Sequence, residues 1–147
     1  MTETGDWTQP GASLRQGFAL PGPGDKMLCE CEMVPASAID AIVAGIQRSQ
    51  GRPDLLSIGL RTRMGKGPCQ GSTCSVRVLS HLYDQGHYFG NAQGQNSGRK
   101  GIQDLKDFLN ERWKGEHTLL WGDSLGQSSL KEMIHCGLFG LEAEDDD

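Results

Sequence analysis

Four of the five cysteines fall in two close pairs, Cys29-x-Cys31 and Cys69-x4-Cys74, with 37 residues between the pairs. Thiolates are soft donors, and four of them around one site mean zinc or iron–sulfur chemistry. Positions five apart on an ideal helix point roughly 140° away from each other. Both pairs are therefore expected in turns or at helix starts, where Gly65, Gly67, Pro68 and Gly71 supply the backbone freedom for the second pair. Structural zinc favours pairs spaced by about two to four residues, which the one-residue gap fits poorly, and a single-iron site meets the same objection. A two-iron cluster spreads its four sulfurs over a wider volume and tolerates unequal pairs. Both metals stay open on spacing alone. An oxidised two-iron cluster with four thiolates carries about two negative charges. Arg61, Arg63 and Arg77, with Lys66, flank the second pair and are the candidates for offsetting that charge. Cys136, beside Met133, Ile134 and Leu138, reads as a small packing residue.

The elements that position these residues are helices. Ile39, Ile42, Val43 and Ile46 repeat at i, i+3, i+4 and i+7 and predict a helix over 36–47, opened by Pro35. Gly51 and Pro53 end it, and Asp54 caps a second short helix carrying Leu55, Leu56, Ile58 and Leu60. A third helix is expected from about Cys69–Ser72 to Asp84, with Cys74, Val78 and Leu82 four apart. Ile102, Leu105, Leu109 and Trp113 predict a fourth over 102–114, and a last one spans 130–137. Trp113 and Trp121 read as packing residues, and the four histidines as structural or surface groups. Strands are scarce. The fold class is mainly α: a small helical metal-binding module followed by a short helical extension.

Residues 1–26 hold three prolines and five glycines and read as a lead-in or linker. The cysteine module occupies 27–86. Five glycines between Gly86 and Gly101 mark a flexible linker, 87–101, before a helical extension, 102–141. Residues 142–147 are an acidic tail that carries five negative charges; without it the net charge of −5 vanishes. A chain so balanced is not a nucleic-acid polycation. No apolar run approaches the roughly 18–20 residues of a membrane span, and the first ten residues have no apolar core of a secretory signal. With no export signal, five cysteines point to metal or redox chemistry rather than disulfides, and to a cytoplasmic location.

Cys29-Glu30-Cys31-Glu32-Met33-Val34 and the run from Arg61 to Cys74, RTRMGKGPCQGSTC, resemble the [2Fe–2S]-binding domain related to bacterioferritin-associated ferredoxin. The resemblance implies that Cys29, Cys31, Cys69 and Cys74 bind the cluster. The four-residue gap is similar to versions attached to flavin dehydrogenases, since the stand-alone ferredoxins have a two-residue gap. Phe108–Gly115, Trp121-Gly122-Asp123 and Gly137–Glu142 resemble the C-terminal end of the large flavin subunits of anaerobic glycerol-3-phosphate dehydrogenases. The resemblance spans about 27–142. It implies an electron relay from flavin towards quinone. The partners it implies are a flavin-binding dehydrogenase domain or subunit, together with further iron–sulfur and membrane-anchor subunits at the cytoplasmic face of the membrane. No G-x-G-x-x-G fingerprint occurs here, so FAD and the dehydrogenase active site are expected on a missing or partner domain. A zinc-binding docking domain and a regulatory ferredoxin that helps release stored iron are the alternatives.

Overall fold

The computed structural model describes residues 22–88 and 97–141. The expected lead-in up to residue 21, the centre of the expected linker and the acidic tail lie outside the described residues. Two short antiparallel strands, β1 (Met27–Cys29) and β2 (Val34–Pro35), pair Met27 with Pro35 and Cys29 with Val34 across an irregular register. Five helices follow: α1 (Ala36–Arg48), α2 (Leu55–Arg61), α3 (Cys74–Asp84), α4 (Ser97–Leu119) and α5 (Gly122–Phe139).

Helix α1 starts directly after the strand pair. The Ala36 amide donates to the Lys26 carbonyl at 2.8 Å, and Ser37 hydrogen-bonds through both its amide and hydroxyl to Asp25. Asp25 thereby places a carboxylate at the positive end of α1. Ile39, Val43 and Ile46 are buried and Ile42 half-buried, as the spacing predicts. Asp54 caps α2 through a reciprocal box: it accepts from the Ser57 amide at 2.7 Å, and Ser57 Oγ accepts from the Asp54 amide at 3.2 Å. Such a cap stabilises a short helix by about 1 kcal/mol. Thr62 closes α2 by donating to the Ile58 carbonyl and accepting from the Met64 amide, which turns the chain into the glycine loop.

Three helix starts differ from the periodicity, and α4 also runs on to Leu119, past the expected residue 114. Helix α3 begins at Cys74, later than expected, because Gln70 (φ 48°) and Gly71 (φ 90°) hold residues 69–73 in turns. Helix α4 begins at Ser97, inside the expected linker. Its Gly101 is a packing residue: a Cβ there would lie 2.2 Å from the Tyr83 hydroxyl. Helix α5 begins eight residues before Leu130, through a stretch with no apolar repeat, and ends where Gly140 (φ 61°) lets the Leu141 amide reach the Cys136 carbonyl at 2.9 Å.

One buried cluster joins both halves of the chain. Ile39, Leu55, Ile58, Val78 and Leu82 from α1–α3 share it with Leu105, Phe108, Leu109 and Trp113 of α4. A buried polar contact fastens the same seam. Asp104 of α4 accepts from Arg52 at 2.7 Å and from the Tyr88 hydroxyl at 2.8 Å, and burial holds its carboxyl above the ordinary value despite both partners. The buried cluster thus takes residues from both sides of the stretch 87–101.

Candidate functional site

Cys29 is the last residue of β1, and residues 30–33 form the turn to β2, with Met33 at φ 53°. That turn lifts Cys31 out of the strand, exposed, while Cys29 stays buried. On the other side, Cys69 opens the series of turns that leads into α3, and Cys74 is the first residue of that helix. The fold brings all four together. Their side chains line one pocket of about 70 Å³ together with Leu28, Glu30, Thr73 and Arg77.

Within the pocket the sulfurs form two pairs, each taking one cysteine from each sequence motif. Cys31 Sγ lies 3.7 Å from Cys69 Sγ, and the Cys74 thiol is in hydrogen-bonding contact with Cys29. All four are free thiols. Among the described residues, no three His, Cys, Asp or Glu side chains gather as donors around a single ion.

Their electrostatics differ. Burial pushes the Cys74 thiol up to about 12, with the neighbouring Cys29 adding to it. Burial would also raise Cys69. Hydrogen bonds from the Gly71 amide, Cys31, the Thr73 amide and Ser72 outweigh it and hold this thiol below its ordinary value. Cys31 is raised, chiefly by its hydrogen bond with Cys69. The turn before α3 therefore offers Cys69 several donors to a thiolate, and the Gly65 amide does the same for Cys74.

Glycines set the approach. A Cβ on Gly67 would lie 2.5 Å from Cys31 Cβ, so the two loops meet closely only because residue 67 is bare. Phe108 packs against the other side of the loop. Cβ atoms on Gly65 and Gly71 would lie 2.6 and 2.5 Å from its ring, and both glycines have positive φ. Gln70 braces the loop by donating from its side chain to the Gly67 carbonyl at 3.0 Å.

The three arginines named from sequence have different surroundings. Arg77 lines the pocket and pairs with Glu30 at 2.7 Å. Glu30, then the cysteines Cys74 and Cys29, raise its guanidinium above the ordinary value. Arg63 pairs with Glu32 at the edge of the same turn. Arg61 donates to the Ser57 carbonyl of its own helix at 3.1 Å and is not among the pocket residues. The Glu30–Arg77 pair joins the first cysteine turn to α3 and is not indicated by any spacing in the sequence. Phe108 as the floor of the cysteine loop is likewise not indicated by helical periodicity, although glycines at both 65 and 71 are a signal that something bulky sits close.

Comparison with known proteins gives one consistent relationship. The chain is 32% identical over 172 aligned positions to a subunit of the anaerobic glycerol-3-phosphate dehydrogenase of Escherichia coli K12, covering 98% of this chain and 30% of that relative. It is 35% identical over 120 positions to the corresponding subunit from Haloferax volcanii, covering 80% of this chain and 18% of the relative. It is 25% identical over 115 positions to the corresponding subunit from Haemophilus influenzae, with 78% and 18% covered. The chain thus spans less than a third of the length of these curated relatives. No family model and no solved structure matches it. The chain is thus similar to part of one subunit type of anaerobic glycerol-3-phosphate dehydrogenases. No helix among the described residues is long and apolar enough to cross a membrane.

Proposed function

We propose that this chain is an electron-transfer portion of the large subunit of an anaerobic glycerol-3-phosphate dehydrogenase, and that Cys29, Cys31, Cys69 and Cys74 hold a [2Fe–2S] cluster. The observation that carries this reading is the shared pocket: two cysteine pairs 37 residues apart in sequence line one space. The donor set is all sulfur, and its members sit as two cross-motif pairs. That arrangement suits two metal ions with two thiolates each better than one ion with four. A bound cluster accepts and returns one electron at a time.

The chain's own residues supply the rest. Cys69 and Cys74 anchor the ligands at the start of α3, where backbone amides of Gly65, Gly71 and Thr73 point at sulfur and favour the anionic form. Arg77 brings positive charge to the pocket wall, held in place by Glu30. Gly67 allows the Cys31 turn to close over the site. Burial of Cys29 and Cys74 shields one end from water, whereas Cys31 leaves the other end within reach of a redox partner. The electron donor in this reading is an FAD-bearing dehydrogenase portion that these residues do not contain. The acceptors are further iron–sulfur and membrane-anchor subunits that lead to quinone, at the cytoplasmic face of the membrane.

The relatives are dehydrogenase subunits, which favours this reading over an iron-release ferredoxin. The zinc alternative, a docking domain that moves no electrons, differs in a readily measured property. Protein purified without air is expected to be coloured, with about two irons per chain. A colourless protein with one zinc per chain contradicts the proposal.

A further inference from the structure

Helix α5 carries its most apolar face outward. The face turned to α4 mixes Cys136 and Phe139 with polar groups: Ser128 donates to Glu116, Lys131 pairs with Glu116 at 3.4 Å, and Glu132 with His117 at 2.9 Å. The face turned to solvent holds Leu130, Met133, Ile134 and Leu138, which are 56, 69, 55 and 72% exposed. Gly126, Leu130, Ile134 and Leu138 follow at intervals of four and form one ridge, with Met133 and Gly137 alongside. Between Gly126 and Leu138 no charged side chain lies on this face, since Lys131 and Glu132 are both engaged with α4. The four large side chains expose about 450 Å² of apolar surface, the size of the largest patch on an ordinary monomer, which is often a functional one.

We propose that this face is a homodimer interface, in which a second copy of the chain packs α5 against α5 in antiparallel fashion across a two-fold axis at the level of residue 132. The spacing is self-complementary about that point. Leu130 meets the partner's Ile134, and Leu138 lies over the partner's Gly126. Gly126 is exposed and a Cβ added there would find nothing within 4 Å, so its bare backbone leaves room for a large side chain from outside. Ridges of residues four apart interdigitate at a crossing angle of about −50°. A two-fold axis brings the same uncharged stripe to both sides, so no like charges oppose each other. Two such faces with their flanking residues remove on the order of 1,000 Å², the lower edge of specific interfaces, so the association is reversible and concentration-dependent. A lipid surface is the weaker occupant, because membrane-lying helices carry several basic residues on their polar face, and α5 has only Lys131, already paired with Glu116.

Sedimentation equilibrium of the full chain, kept reduced so that exposed Cys31 does not cross-link, tests this. The apparent mass is expected to rise from 16.0 kDa towards twice that value between about 10 and 300 μM. Leu130→Glu is expected to weaken association at least about tenfold. Gly126→Gln occupies that space, and its Cβ would touch nothing in the chain's own fold; it is expected to weaken association similarly while the circular dichroism stays unchanged. A wild-type chain that stays monomeric at the highest concentration overturns the proposal. So does a dimer indifferent to both substitutions, or a monomer that co-sediments with phosphatidylglycerol vesicles.

Discussion

Cys31 and Gly67 meet where the two cysteine loops close on each other: a single added methyl group on residue 67 would lie 2.5 Å from Cys31 Cβ. The pairing of Cys31 with Cys69 at 3.7 Å, two residues further along, depends on that bare position. The first loop carries one sulfur of each pair and the second loop the other. Any displacement of the Cys31 turn therefore opens the pocket along its exposed side.

Gly67→Ala is accordingly expected to destabilise the fold by about 1–3 kcal/mol, the range for overpacking a tight contact, and to lower the metal bound per chain. Gly115→Ala serves as the control. It lies within α4 with nothing within 4 Å of the added Cβ, and it should be neutral or stabilising by up to about 1 kcal/mol. Urea denaturation and metal analysis of both variants check the pair.

Phe108 couples α4 to the cysteine loop. It is fully buried and its ring fills the space over Gly65 and Gly71. Phe108→Ala is expected to cost about 3–5 kcal/mol. It should also speed amide hydrogen exchange in residues 65–74, because the loop loses its floor. Unchanged exchange there would mean that α4 and the loop are energetically separate, as a flexible linker between them would have it.

His135 gives α5 a pH dependence. Its ring stacks between Trp113 and Phe139, with centroids at 6.3 and 5.8 Å. Burial, then the nearby Lys131 ammonium, hold its pKa below the ordinary 6.5. On acidification the unfolded chain takes up this proton first. Stability from His135 is therefore fully present above about pH 6.5 and is lost as the pH falls from there through the lowered folded value. His135→Phe keeps the stack and removes the titration, so the slope of unfolding free energy against pH in that window should flatten.

Arg77 tests the charge balance of the pocket. Removing its guanidinium in Arg77→Gln takes positive charge from beside Cys29 and Cys74. In the proposed electron-transfer role the reduction potential should move in the negative direction by on the order of tens of millivolts, where about 59 mV is a tenfold change for one electron. Arg61→Gln, whose side chain bonds to the Ser57 carbonyl of its own helix, should leave the potential unchanged. Protein-film voltammetry of the two variants distinguishes them.

Much of this arrangement is legible in the amino-acid order, and the illegible parts share a cause. The stripe from Ile39 to Ile46 and the Asp54 cap are local signals, and the helices they predict are present. The four cysteines announce themselves by type and spacing, and they line one pocket. What local signals miss is what a distant side chain does to a glycine. Gly101 reads as a hinge until Tyr83 is seen against it, and Gly65 and Gly71 read as loose turns until Phe108 is. Helix α5 hides its start because its inward face is partly polar. Trp121, read as a packing residue, is 82% exposed at the turn before it. The partner of Glu30 likewise comes from α3, 47 residues away, where no sequence spacing points.

The most direct test of the four-thiolate site is electron paramagnetic resonance of anaerobically purified chain after reduction with dithionite, with iron and acid-labile sulfide measured on the same sample. The expected result is a single S = 1/2 signal accounting for one spin per about two irons and two sulfides, abolished in Cys69→Ser. A sample that binds zinc in place of iron, or that holds iron but gives no such signal on reduction, contradicts the account.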